Sequence, residues 1–262
     1  METIRLPAVA GMFYEDDPRK LRDQLRQFLA EADCAGPAPK AIIAPHAGYI
    51  YSGPIAASVY ARLRPARDRL RRVVLVGPSH RVPFRGLAVS GMEHFVTPLG
   101  RIAVDQAAVQ MALALPEVGL LEQAHLYEHS LEVHLPFLQE VLDDFTLVPI
   151  VVGDAGPAQV GAVLEALWGG PETLIVVSSD LSHYHDYDTA RRLDAATTRA
   201  IESLRYEDIG HDHACGRNPI RGLLWVARRR GLHGETLDLR NSGDTAGSHD
   251  RVVGYGAYAF TE

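Results

Sequence analysis

At 262 residues, 47% of them hydrophobic and 23% charged, the chain has ordinary globular composition and the length for one large domain or two small ones. A formal net charge of -7 and a pI near 5.9 give no broad attraction to phosphate backbones or anionic lipid, so nucleic acid is not an expected partner. No apolar run approaches the ~20 residues that cross a bilayer, and METIRLPAVAGMFY lacks the basic-then-apolar pattern of a signal peptide, so no membrane partner is expected and the expected location is cytoplasmic.

The stretch DDPRKLRDQLRQFLAEAD opens with an acidic cap and a first-turn proline, then sets Leu21, Leu25, Phe28 and Leu29 on one stripe. It predicts an amphipathic helix over 17–32. KAIIAP reads as a buried strand, and GPIAASVYARLR as a helix opened by Ser52 or Gly53 with Pro54 in its first turn. RRVVLVGPSH is a second apolar strand and, like the first, it runs into a proline and a histidine. RGLAVSGMEHFVTPLGRIAVD alternates and is punctuated by glycine and proline, which predicts a hairpin-like insertion with a helix over 105–115 behind it. HSLEVHLPFLQEVL places Leu131, Leu135, Leu138 and Leu142 at helical spacing, and FTLVPIVVGD is a strand. A helix over 157–168 leads to ETLIVVSSDLSH, a third apolar strand ending on acid and histidine. Helices over 187–204 and 218–230 follow, the second with Asn218 as cap, Pro219 in its first turn and Gly231 as stop. ETLDLRNSGD and RVVGYGAYAF close the chain as strands. Apolar strands alternating with amphipathic helices predict a single α/β domain over 1–262, with a mostly parallel central sheet flanked by helices.

In open α/β sheets, ligands bind outside the carboxyl ends of the strands. Four such ends here carry metal-ligating or acid–base groups: His46, His80, the pair Asp180 and His183, and Asp244 after DLRNSG. Two imidazoles and a carboxylate from separate strand ends match the set that holds non-haem iron while leaving positions open. Zinc uses the same three groups in hydrolases. No HExxH occurs, because His129 and His134 are five apart and fall on different helix faces. His134 shares a face with core leucines and reads as a core or interface histidine, whereas His129, just ahead of that helix, is placed to face a cleft. His185, His211, His213 and His233 sit in polar stretches and read as solvated; His94 is left open. The two cysteines, Cys34 and Cys215, are far apart and neither lies in a CxxC pair, which disfavours disulfide scaffolds and thiolate zinc clusters. Cys215 precedes a helix amino terminus, where a thiol pKa can fall, but reads first as a small packing residue at the helix entrance. The serine-hydrolase elbow GxSxG and the nucleotide motifs GxGxxG and GxxxxGK[ST] do not occur.

Taken together and in this order, PAVAGMFY, APHAGYIYSGPIAASVYARL, GPSH, EHSLEVHLPFLQ, SSDLSHY, CGRNPI and NSGD followed by RVVGYGAYAF resemble the Memo family over nearly the whole chain. That resemblance implies a fold similar to the class III extradiol dioxygenases, with histidines in its cleft. It implies His46 and His80 as metal ligands, His129 as a catalytic-site histidine beside them, and His183 as the acid–base group. The dioxygenases supply a glutamate as third ligand and animal Memo proteins a cysteine near the carboxy-terminal segment, whereas here NSGDTAGSHD offers Asp244, with His249 and Asp180 as alternatives. The expected metal is iron(II), with copper or zinc as the other candidates. Three functions follow: an oxygenase acting on a small catechol-like substrate, a metal hydrolase whose bound water titrates near ~7, or a non-enzymatic metal-binding protein that works through a protein partner.

Overall fold

Residues 41–44, 73–78, 147–152 and 173–178 are buried without interruption. Strands of this kind, with no solvent-facing row of side chains, belong at the centre of a sheet covered on both faces. In the computed structural model, which describes residues 2–33 and 35–262, the strands are β1 (Ile4–Arg5), β2 (Ala41–Ala44), β3 (Arg72–Pro78), β4 (Leu87–Val89), β5 (His94–Thr97), β6 (Gly100–Ala103), β7 (Val118–Leu120), β8 (Thr146–Val152), β9 (Thr173–Ser178), β10 (His183–His185), β11 (His233–Asn241) and β12 (Val252–Thr261). The helices are α1 (Pro18–Glu31), α2 (Tyr49–Tyr60), α3 (Gln106–Leu113), α4 (Glu122–Leu126), α5 (His129–Glu132), α6 (Leu135–Val141), α7 (Pro157–Ala166), α8 (Tyr187–Glu202) and α9 (Arg217–Arg230). Cys34 lies outside the described residues.

The main sheet runs β10-β12-β2-β9-β3-β8-β4-β7, with β11 on the free side of β12. It is mixed. The core β2-β9-β3-β8 is parallel, whereas β12 runs antiparallel to β2, β10 and β11, and β4 antiparallel to β8. Helices α7 and α9 pack on each other with α9 against β3 and β9, while α2 and α8 cover β11 and β12. The expected hairpin is β5–β6, which with β1 makes a small separate sheet. Among the described residues no helix is long and apolar enough to cross a membrane.

Register brings the strand ends together. Ala44 of β2 pairs with Ser178 of β9, and Val76 of β3 with Val177, so the three carboxyl ends lie side by side and their following loops share one edge. Three expected boundaries move. Helix α2 starts at Tyr49 behind Gly48, with Pro54 inside it, where the proline removes the hydrogen bond that the Ile50 carbonyl would accept. HSLEVHLPFLQEVL breaks into α5 and α6, because Pro136 suits the first turn of a new helix and His134 sits at its cap position. Helix α9 starts at Arg217 rather than at an Asn218 cap; the Asn218 amide instead donates to the Gly153 carbonyl at 3.0 Å. Gly231 ends α9 as expected, at φ 69.

Residues 5–14 are strapped across the carboxyl edge by one carboxylate. Glu132, buried in α5, accepts from the Arg5 guanidinium, the Ala8 and Val9 backbone N–H groups (2.8 and 2.9 Å) and the Tyr14 hydroxyl (2.7 Å). Arg5 spends its other donors on the carbonyls of His125 and Glu128. The strap delivers Phe13 against the His129 ring, with centroids 4.9 Å apart.

Candidate metal centre

His46 follows β2 and is buried at the sheet edge. Its Nδ1 lies 2.6 Å from Ser178 Oγ, and that hydroxyl donates its own hydrogen to the Ser130 carbonyl at 2.6 Å. The serine therefore accepts, Nδ1 carries the imidazole hydrogen, and the lone pair resides on Nε2. Burial, followed by the neighbouring histidines, holds the His46 pKa well below the ordinary value, which keeps the ring neutral.

The loop after β3 brings His80 to the same place. Its Nδ1 donates to Glu128 Oε1 at 2.9 Å and its backbone N–H to Oε2 at 2.6 Å, while the Ser130 N–H donates to Oε1 at 3.0 Å. Burial alone would raise the Glu128 carboxyl, yet the His80 and Ser130 donors bring it down to about 2, so it accepts as a full anion. A carboxylate holding one imidazole nitrogen orients the ring and leaves the other as a basic ligand atom.

The third group enters from the far side, at the start of α9. Cys215 Sγ lies 3.4 Å from His46 Nε2. The next residue must be glycine for this approach: a Cβ on Gly216 would fall 2.5 Å from the Ser178 carbonyl and 2.6 Å from Ser179 Cβ. Ligand atoms of His46, His80 and Cys215 lie within 4.8 Å of one another. Burial, reinforced by the nearby Asp180 carboxylate, pushes the Cys215 thiol up. Two oriented imidazoles and one thiol, each from a different element, fit a transition-metal ion bound on one side and open on the other.

Three more groups complete the edge. His129 stacks on His80 with ring centroids 4.7 Å apart, its Nδ1 is buried without a hydrogen-bond partner among the described residues, and burial lowers the pKa of the ring to about 4. Asp180, after β9, accepts the His46 N–H at 2.8 Å and places Oδ2 3.9 Å from His46 Nε2; burial raises its carboxyl. His183, on β10, donates Nδ1–H to the Leu181 carbonyl at 2.8 Å, which leaves the Nε2 lone pair free. All of them line one cavity of about 880 Å³ together with the cluster.

A family model described as Memo-like protein matches residues 5–259. The chain belongs to the Memo family. MEMO1 family proteins of Saccharolobus solfataricus and Metallosphaera sedula are 35% and 34% identical to it over 98% of this chain and 99% of theirs. The crystal structure of an uncharacterized protein from Escherichia coli K12 superposes with a TM-score of 0.50 at 18% identity, over 82% of this chain and 98% of the other, a likeness of fold alone.

In this Memo-family chain the residues expected from strand ends separate into two groups. His46, His80, His129, His183 and Asp180 converge on the cavity. Asp244 does not join them. Its carboxylate accepts the Tyr187 hydroxyl at 2.5 Å and the Asn241 N–H at 2.9 Å, closing the turn Ser242–Asp244 upon itself on an exposed surface. His249 stacks on Tyr187 with centroids 4.2 Å apart and is equally uninvolved. Cys215, expected as packing, stands where the third ligand was sought. His185 and His211 line the cavity as well; His211 is exposed, as its polar surroundings suggested, and His185 is half-buried. His134 is the buried core histidine expected, with Nδ1 2.8 Å from the Tyr60 hydroxyl.

Proposed function

We propose that this Memo-family protein binds one transition-metal ion through His46, His80 and Cys215 and carries out dioxygenase-like chemistry on a small, oxygen-chelating substrate. The observation that carries the reading is the pair of Nδ1 anchors: Ser178 and Glu128 each hold one imidazole nitrogen, so both rings are committed to offering Nε2 beside a thiol. A bound ion would supply Lewis acidity and redox capacity toward chelating oxygens in the cavity. The remaining work falls to the chain. His183 Nε2 is available to take a proton from a substrate hydroxyl and return it, on a ring whose orientation is set by the Leu181 carbonyl. His129 and Phe13 pack along the His80 side of the cavity, where the strap held by Glu132 positions Phe13.

Iron(II) accords with the imidazoles. The thiol makes the set softer than two histidines and a carboxylate, which favours copper and zinc more than Asp244 would have done. Anaerobic loading with iron(II), copper(I) or zinc, singly and in competition, followed by oxygen uptake with catechols, tests the reading. The expected result is catechol-dependent uptake with the iron or copper form, reduced on the order of 10²-fold in His183→Ala at unchanged metal content. Metal binding without oxygen uptake by either redox form refutes the oxygenase reading. Ester hydrolysis by the zinc form alone would put a hydrolase in its place.

A further inference from the structure

His183 needs a fixed ring if its Nε2 is to serve the cavity, and the strand that carries it is a poor anchor. β10 is three residues long, and its ladder with β12 is irregular between His183 and His185. Between those two stands Tyr184 at φ 62, a left-handed conformation uncommon for residues other than glycine. The bond that orients the His183 ring is Nδ1–H to the Leu181 carbonyl, 2.8 Å away and two residues back.

That carbonyl belongs to a peptide group whose other end is held by a buried acid. The amide joining Leu181 to Ser182 is planar and trans, so its C=O and N–H point in opposite directions and move as one body. The C=O accepts from His183, and the N–H donates to Asp194 Oδ1 at 3.0 Å. Asp194 lies on α8 and is buried. Its carboxyl rests on the β12 backbone at Gly254, where a Cβ would fall 2.0 Å from Oδ2, so the close approach requires glycine there. Gly254 brackets the same amide: its carbonyl accepts the Leu181 N–H at 2.8 Å and its N–H donates to the Ser182 carbonyl at 2.9 Å. Hydrogen bonds in series through one amide polarise each other, and a carboxylate at the N–H end makes the carbonyl a stronger acceptor. Burial raises the Asp194 carboxyl, while the Ser182 donor and the charge of His183 act against that rise.

We propose that Asp194 is the positioning residue of His183: through the Leu181–Ser182 amide it holds the ring in the Nδ1–H tautomer and so keeps the Nε2 lone pair for the cavity. Its catalytic consequence rests on the acid–base reading of His183 above, whereas the tautomer is a property of the metal-free chain and is measured without turnover.

Heteronuclear NMR of the metal-free protein, with isotopically labelled histidine rings and at a pH where they are neutral, reads the tautomer, and His183→Gln identifies the signal. Wild-type His183 is expected in the Nδ1–H form; an Nε2–H ring there overturns the proposal whatever the variants do. Asp194→Ala and Asp194→Leu offer Ser182 no acceptor and should move His183 to a mixture of tautomers. Asp194→Asn, whose Oδ1 still accepts, should restore the wild-type form. A lower Tm with an unchanged tautomer in the apolar variants means that Asp194 only packs α8 against β12, and overturns the positioning role. With metal and catechol, the apolar variants should lose on the order of 10-fold in kcat at unchanged KM and metal content. Wild-type kcat in a variant whose tautomer has shifted overturns the catalytic consequence. If no form of the protein takes up oxygen, wild type included, the oxygenase reading falls and the tautomers still decide the role of Asp194.

Discussion

Acid should destabilise this fold through its buried neutral histidines, and His134 isolates the effect. The ring is buried, its Nδ1 pairs with the Tyr60 hydroxyl, and its Nε2 has no hydrogen-bond partner among the described residues, so a proton gained by the ring would be an uncompensated buried charge. Burial lowers its pKa from 6.5 to about 3. Above pH 6.5 neither folded nor unfolded chain binds the proton, and the histidine contributes nothing to the pH dependence. As pH falls below 6.5 the unfolded chain binds it and the folded chain does not, so stability declines until the folded ring also titrates, near 3. At about 1.4 kcal/mol per pH unit, the penalty at pH 5 is about 2 kcal/mol. His125 and His129, both lowered to about 4 by burial, add similar amounts. The three together reach about 6 kcal/mol, which rivals the whole stability of an ordinary domain. The assay is urea unfolding of wild type and His134→Asn at pH 7.5 and pH 5. The variant should be the less stable by about 1–3 kcal/mol at pH 7.5, from imperfect satisfaction of Tyr60. That gap should shrink by about 2 kcal/mol at pH 5. A gap that stays constant between the two pH values would refute the reasoning.

Glu132→Ala leaves the Arg5 guanidinium buried and unpaired and should lower stability by about 3–5 kcal/mol in chemical denaturation; a loss under about 1 kcal/mol contradicts the strap's role. Glu128→Gln removes the carboxylate from His80 Nδ1 and should weaken metal binding about 10–100-fold in a chelator competition, with stoichiometry preserved at saturation. Unchanged affinity would show that the His80 ring is oriented by something else. Metal loading near pH 8 should release about one proton per ion, because the Cys215 thiol is pushed up and must deprotonate to bind; the same release from Cys215→Ser would assign that proton elsewhere.

What could be read in the sequence was whatever short-range pattern determines. The strands of the parallel core stood out because burial on both faces leaves them no polar row, and His46 and His80 because each follows such a strand within two residues. Cys215 belongs to no such pattern. It reaches the sheet edge only because α9 docks across β3 and β9 and Gly216 allows backbone to touch Ser178 and Ser179, a tertiary approach that spacing does not encode. Asp244 misled for the opposite reason. NSGD follows a strand as the stretches carrying His46 and His80 do, but its carboxylate is spent on the turn it closes. The partners that set the imidazole tautomers, Ser178 and Glu128, were visible as residues and became meaningful only once their distances to the rings were known.

The central claim is that a thiol, not the Asp244 carboxylate, completes the metal set. Metal content after anaerobic reconstitution and dialysis, measured side by side on wild type, His46→Ala, Cys215→Ala and Asp244→Ala, decides it. The account predicts that His46→Ala and Cys215→Ala lose the bound ion while Asp244→Ala retains it at wild-type stoichiometry. Retention by Cys215→Ala together with loss from Asp244→Ala would contradict it.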